Sequence, residues 1–161
     1  GDAYNARLGA TAAAASEGAG ALPKLLEAMN DSDAAIRYWG ATGIGNIGVA
    51  AKENGVAAME RALADKSSAV RTAAARALCR MGLPTKALPV LISELTTGTQ
   101  WERLHAANAL DEIDEQAKPV AEQMKAGLEY QNGFNSKGKY RVRVINRALN
   151  ELNGTDNKVS Y

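Results

Sequence analysis

The 161-residue chain has a net charge of +1, with 19 Lys and Arg against 18 Asp and Glu, so bulk charge gives no pull toward nucleic acid or a membrane surface. A single cysteine excludes an internal disulfide framework, and no apolar run approaches the ~18 residues of a membrane-spanning helix. Alanine is abundant, aromatics are few and β-branched runs are nearly absent, which favours closely packed helices over a sheet.

In chain order, residues 1–18 carry a faint half-repeat marked by Arg7, Ala10 and Gly18. An amphipathic helix follows, with Pro23 near its start and Leu22, Leu25, Leu26 and Met29 on one face. The turn Asn30-Asp31-Ser32-Asp33 offers N-cap residues to a second helix from Ile36 to Ile47, closed by Gly48. The next pair places Val56, Met59 and Leu63 before the turn Asp65-Lys66-Ser67-Ser68, then a helix from Val70 to Met81, closed by Gly82. A third pair has Pro89 near the start of its first helix, with Leu88, Leu91, Ile92 and Leu95 inward. It then turns at Thr96-Thr97-Gly98-Thr99 and continues through Leu104, Leu110 and Ile113. The fourth is less regular: Pro119, Val120, Met124 and Leu128, a loop at 131–139 rich in turn formers, and a last helix burying Val142, Ile145, Leu149 and Leu152. Residues 153–161 read as a frayed tail.

The second helices align without gaps at offsets of 34 and 32 residues. Arg37, Arg71 and Arg103 form one column. Gly40, Ala74 and Ala106, then Ala41, Ala75 and Ala107, then Gly43, Ala77 and Ala109 form three small columns. Ile44, Leu78 and Leu110 form a large apolar one. Small positions let neighbouring helices approach, and a large residue one turn later fills the space between layers.

These features resemble HEAT repeats, in which a helix pair carries an Asp in its turn and an Arg six residues later. Asp31 and Arg37 have that spacing, as do Asp65 and Arg71. The resemblance covers roughly residues 5–152 and implies a hydrogen-bonded Asp–Arg ladder between neighbouring repeats, weakened at Arg103, where Thr97 replaces the Asp. The expected fold is all-α, a right-handed α-solenoid of about four HEAT-like helix pairs. It occupies residues 1–152, with a partial repeat at 1–18 and further repeats at 21–49, 54–82, 86–114 and 117–152.

Chemistry is sparse. His105 is the lone histidine, and no second His or Cys stands at metal-ligand spacing from it. Cys79 reads as a small helix residue, and Gly43-x-Gly45-x-x-Gly48 as a chance match to a phosphate loop, since no strand precedes it. Asp111, Glu112, Asp114 and Glu115 read as a solvated acidic corner. Catalytic residues, metal ligands and cofactors are therefore not expected. A basic set at Lys137, Lys139, Arg141, Arg143 and Arg147 reads as a solvated helix face or, functionally, as a surface for phosphate or sulfate groups. Opposite the packed columns lie Tyr38, Thr42 and Asn46, then Thr72, Arg76 and Arg80, then Asn108, Asp111 and Glu112, a polar ridge of the kind that repeat proteins use for recognition. Tyr38 and Trp39 would be its anchor, the other reading being that Trp39 fills space against the preceding repeat.

Three segments resemble the helical repeats that follow the catalytic domain of some secreted bacterial sulfatases. They are Asp33 to Ala41, Ser68 to Leu78 and Arg143 to Gly154. The sulfatase signature, Cys or Ser-x-Pro-x-Arg, is missing, because Cys79 is followed by Arg80, Met81, Gly82 and Leu83. The calcium-binding Asp pairs have no match either. The resemblance implies an accessory domain without catalysis, cut from a longer periplasmic or secreted sulfatase. It would partner the catalytic domain of the same chain, with a sulfated glycan as a further partner, and neither membrane nor nucleic acid. A first residue of Gly rather than Met agrees with an excised piece. The alternatives are a free-standing protein-interaction scaffold and a HEAT-like lyase or DNA-binding repeat protein.

Overall fold

The computed structural model describes residues 1–130 and 138–159. Its helices are α1 (Asp2–Ala14), α2 (Leu22–Ala28), α3 (Ala34–Ile47), α4 (Lys52–Ala62), α5 (Ser68–Arg80), α6 (Pro84–Thr97), α7 (Gln100–Glu112), α8 (Ala121–Met124) and α9 (Lys139–Asn153), and no strand occurs among the described residues. The all-α expectation therefore holds. The chain divides into two compact units, Gly1–Ala87 and Leu88–Tyr161, with the boundary inside α6.

In the first unit α3 packs against α1, α2 and α5. The sequence fixes the start of α3 through Asp33, whose side chain accepts from the amides of Ala35 (2.8 Å) and Ile36 (3.3 Å). Its end is Gly48, at φ +66°, and α5 is closed the same way by Gly82 at φ +78°. Between these ends the small columns set the packing distance. A Cβ on Gly43 would lie 2.6 Å from Leu25 Cδ2 and 2.8 Å from the Ala15 Cα, so α3 approaches α1 and α2 more closely than alanine permits. Leu25, Ile36, Ile44, Met59 and Leu78 are buried in the space this leaves. Each such side chain contributes roughly 1.5–3 kcal/mol from removal of apolar surface from water.

The second unit keeps the pattern in α7 and loses it afterwards. Thr99 and Glu102 form a reciprocal capping box at the start of α7, and α7 packs along α9 over Ala106, Ala107, Leu110, Val142 and Ile145. In the fourth repeat, the less regular one in sequence, Asp114–Val120 and Lys125–Leu128 are 3₁₀ segments flanking the four-residue α8. Pro119 removes one amide from the ladder, and Gly127 sits where a Cβ would meet Ile145 Cγ1 at 2.8 Å. Asp114 holds the position that Gly48 and Gly82 occupy upstream, at φ +50°. Pro89 also departs from expectation: α6 begins at Pro84, so Pro89 is internal to it. The tail expected to fray is tied to α9, since Asn157 O accepts from Asn146 Nδ2 (2.9 Å) and Asn150 Nδ2 (3.0 Å).

Candidate functional site

The Asp–Arg set forms first from local turns. Asp31 Oδ1 accepts from the Asp33 amide and Asp65 Oδ1 from the Ser67 amide, both at 2.8 Å, which folds each turn around its carboxylate. Each arginine then reaches back to its own turn. Arg37 Nη1 donates to the carbonyls of Asp31 and Ser32, both at 2.9 Å, and Arg71 Nη1 to those of Asp65 (2.8 Å) and Lys66 (3.2 Å). The carboxylates are reached from the preceding repeat. Arg37 grips Asp65 with Nε at 2.8 Å and Nη2 at 2.9 Å, and Arg7 Nε stands 3.2 Å from Asp31 Oδ2. The six-residue spacing therefore pairs each arginine with the carbonyls of its own turn, and the partner of the Asp65 carboxylate is Arg37. The Arg37 hydrogen bonds hold the Asp65 carboxyl below the usual carboxylate range, against the opposing effect of burial. Arg103, without an Asp in its turn, donates through Nε to the Gly98 carbonyl at 2.8 Å.

The ridge expected from helical geometry is assembled in the first unit by hydrogen bonds across three helices. Asn46 Nδ2 donates to the Ala15 carbonyl at 3.1 Å, next to the end of α1, and Asn46 Oδ1 accepts from Arg76 Nη1 and Nη2 at 3.3 and 3.4 Å. Arg80 Nε donates to the Gly45 carbonyl at 2.7 Å. That carbonyl belongs to the last turn of α3, where main-chain acceptors lack a helical partner. Gly45 makes the approach feasible, since a Cβ there would lie 3.1 Å from the Ala77 Cα and 3.2 Å from Arg76 Nη1. Asn46 and Arg80 are exposed, and Tyr38, Thr42 and Arg76 are half-buried. Tyr38 and Trp39 meet edge to face, with centroids 5.4 Å apart at 66°. Trp39 is half-buried, so part of its ring fills internal space.

The other expected members differ in setting. Thr72 is fully buried, and its hydroxyl has no partner among the described residues. In the second unit Asn108 is exposed, while the Asp111 carboxylate is gripped by Arg147 through Nε, at 3.1 Å, and Nη2. The basic set at the C-terminal end is not a single surface. Lys137 lies outside the described residues, Lys139 is half-buried and Arg143 is exposed. Arg141 is only 1% exposed, because its guanidinium is a strut from α9 to the preceding segment: Nε donates to the Gly127 carbonyl at 3.0 Å and Nη2 to that of Glu129. Burial, aided by Arg103, pulls its pKa down. Arg141 rather than Arg143 turns inward with Val142 and Ile145 because the carbonyls of 127 and 129 accept from it.

The remaining reactive side chains are quiet. Burial pushes the Cys79 thiol up to about 12, which leaves it protonated and unreactive at neutral pH. Gly43 and Gly45 lie inside α3 and Gly48 at its end, so the phosphate-loop look-alike is a packing pattern. Among the described residues no three His, Cys, Asp or Glu side chains are arranged to hold a metal ion, and no helix is long and apolar enough to cross a membrane.

A family model for HEAT repeats matches residues 22–111, more than half of the chain. No curated protein matches it. Paired helices, repeat columns 34 and 32 residues apart, arginine rungs and the matched family model agree: the chain belongs to the HEAT-repeat family.

Proposed function

We propose that this is a non-catalytic protein-interaction domain whose recognition surface is the ridge of the first unit. The observation that carries the reading is the pre-set geometry of Asn46 and Arg80: both are exposed, yet each is fixed by a hydrogen bond to a main-chain carbonyl. Side chains already held in one rotamer lose less entropy on binding, so such a face suits recognition better than one of free lysines. The interaction role is common among HEAT repeats. A photo-crosslinking residue in place of Thr42, compared with one in place of Glu27 on α2, tests it in the native host. Adducts to protein at position 42 and none at 27 are expected; adducts at 27 alone would move the surface to the other helices and overturn the proposal.

The finer reading is a sulfatase accessory domain that buttresses the catalytic domain of the same parent chain or shapes the approach of its sulfated substrate. It rests on the likeness of Asp33 to Ala41, Ser68 to Leu78 and Arg143 to Gly154 to sulfatase-associated repeats. The flanking reading frame tests it. A sulfatase domain directly upstream is expected, and a start and a stop codon at these ends would defeat it in favour of the free-standing scaffold.

A further inference from the structure

We propose that the slot between α1 and α2 seats a helix that stands directly upstream of α1 in a longer parent chain, anchored by one Met or Leu side chain. A longer parent is the premise shared with the accessory-domain reading, and the occupant of the slot is new. α1 is built as the second helix of a pair. Arg7 reaches Asp31 as Arg37 reaches Asp65, and Gly18 follows α1 at φ +78° as Gly48 follows α3 at φ +66°. In this register Ala10 and Ala13 match Gly40 and Gly43 of α3, and Ala74 and Ala77 of α5. Those four are buried, whereas Ala10 and Ala13 are exposed.

One repeat further on, the same column shows its cover. A Cβ on Gly40 would lie 3.0 Å from Met29 Sδ and 3.2 Å from Ala28 Cβ, so the end of α2 lies over α3 there. Met29 also lines a small cavity with Ala58 and Ala62 of α4, and so fills the space between α3 and the next first helix. The corresponding space between Ala10 and Ala28 is a cavity of about 180 Å³, floored by Ala10, Thr11, Ala28 and Ile36 and rimmed by Lys24 and Glu27. A cavity of roughly 150 Å³ accepts a group the size of benzene, so one large apolar side chain fits. An apolar floor with a charged rim suits an amphipathic helix. Connectivity names its source. In both complete pairs of this unit the covering helix leads by a short turn into the helix it covers, α2 into α3 and α4 into α5. Met29 and Leu25 precede Gly40 by 11 and 15 residues, as Leu63 and Met59 precede Ala74. Counted back from Ala10, the same register puts large apolar residues two and six positions upstream of Gly1.

The test is maleimide labelling of Ala10→Cys in the 161-residue chain and in a chain extended upstream by one repeat length of the parent reading frame. Cys79 stays silent, since it is buried with its thiol pushed up to about 12. Labelling of Ala10→Cys should be about tenfold slower in the extended chain, the local protection expected beneath a packed helix. Asn5→Cys, exposed at another position on α1, should label equally in both. Aspartate at the two upstream positions should restore fast labelling, with alanine there as the milder variant if thermal melts show that aspartate prevents folding. Equal labelling of Ala10→Cys in the two chains, or polar residues at the two upstream positions, would overturn the proposal. Protection in the 161-residue chain that grows with protein concentration would name a second copy as the occupant and overturn it as well. A reading frame that opens at Gly1 would overturn this proposal and the accessory-domain reading together. An upstream domain other than a sulfatase, with Ala10→Cys protected, would sink the accessory-domain reading alone.

Discussion

The two units build repeats from the same column pattern and hold them differently. In Gly1–Ala87 the helices α3 and α5 are followed by the positive-φ glycines Gly48 and Gly82, and an arginine reaches from one repeat to the carboxylate of the next, as Arg7 does to Asp31 and Arg37 to Asp65. In Leu88–Tyr161 Arg103 donates to the Gly98 carbonyl and Arg141 to those of Gly127 and Glu129, while Arg147 grips the Asp111 carboxylate. A glycine gives way there to Asp114, and a helix to two 3₁₀ segments. The lesson is that a HEAT repeat needs its columns to pack and its turn carboxylate to register. Where the turn carboxylate is absent, as at Thr97, Arg103 still donates to a main-chain carbonyl of its own turn.

The comparison can be broken most violently at the closest approach. Gly43→Val should destabilise the first unit by about 3 kcal/mol or more, because its Cβ would strike Leu25 and the Ala15 backbone and the gain in helix propensity over glycine is only about 1 kcal/mol. A urea titration followed by circular dichroism checks it. Next in size, Arg37→Ala should cost roughly 1–3 kcal/mol by leaving the largely buried Asp65 carboxylate without its bidentate partner. Arg71→Ala removes the hydrogen bonds to the carbonyls of Asp65 and Lys66 and leaves the Arg37 grip on the Asp65 carboxylate in place. No loss of stability in Arg37→Ala, measured by the same titration, would contradict the rung.

The rung also has a pH signature. The Asp65 pKa is lowered in the folded state, so its stabilisation is complete above the unfolded carboxylate value of about 4 and is lost as pH falls through the folded value. Acid melts of wild type should therefore fall more steeply below that point than those of Arg37→Ala. The smallest effect sharpens the contrast from the other side. Asp114→Gly should stabilise the second unit by about 1 kcal/mol, by removing a side chain from a left-handed backbone position, and differential scanning calorimetry would record it as a raised Tm.

Much of this was legible in the sequence, where packing obeys a period. The columns from Gly40 to Leu110 define which faces are buried, and Gly48 and Gly82 mark where helices stop. Three things were not legible. The spacing of Asp65 and Arg71 suggests a pair within one turn, but the reach of a guanidinium across repeats depends on the stacking distance, which no single repeat encodes. The inward turn of Arg141 depends on carbonyls more than ten residues upstream. Asn46 and Gly45 look unremarkable in sequence, and acquire their roles only when α5 brings Arg76 and Arg80 against the end of α3.

The most direct test of the account is to compare the arginine Nε–Hε resonances of the whole chain by NMR between wild type and Asp65→Asn. The expected result is that the Arg37 Nε–Hε resonance, whose proton is donated to the Asp65 carboxylate, shifts most. No shift at Arg37 would contradict the rung from one repeat to the next.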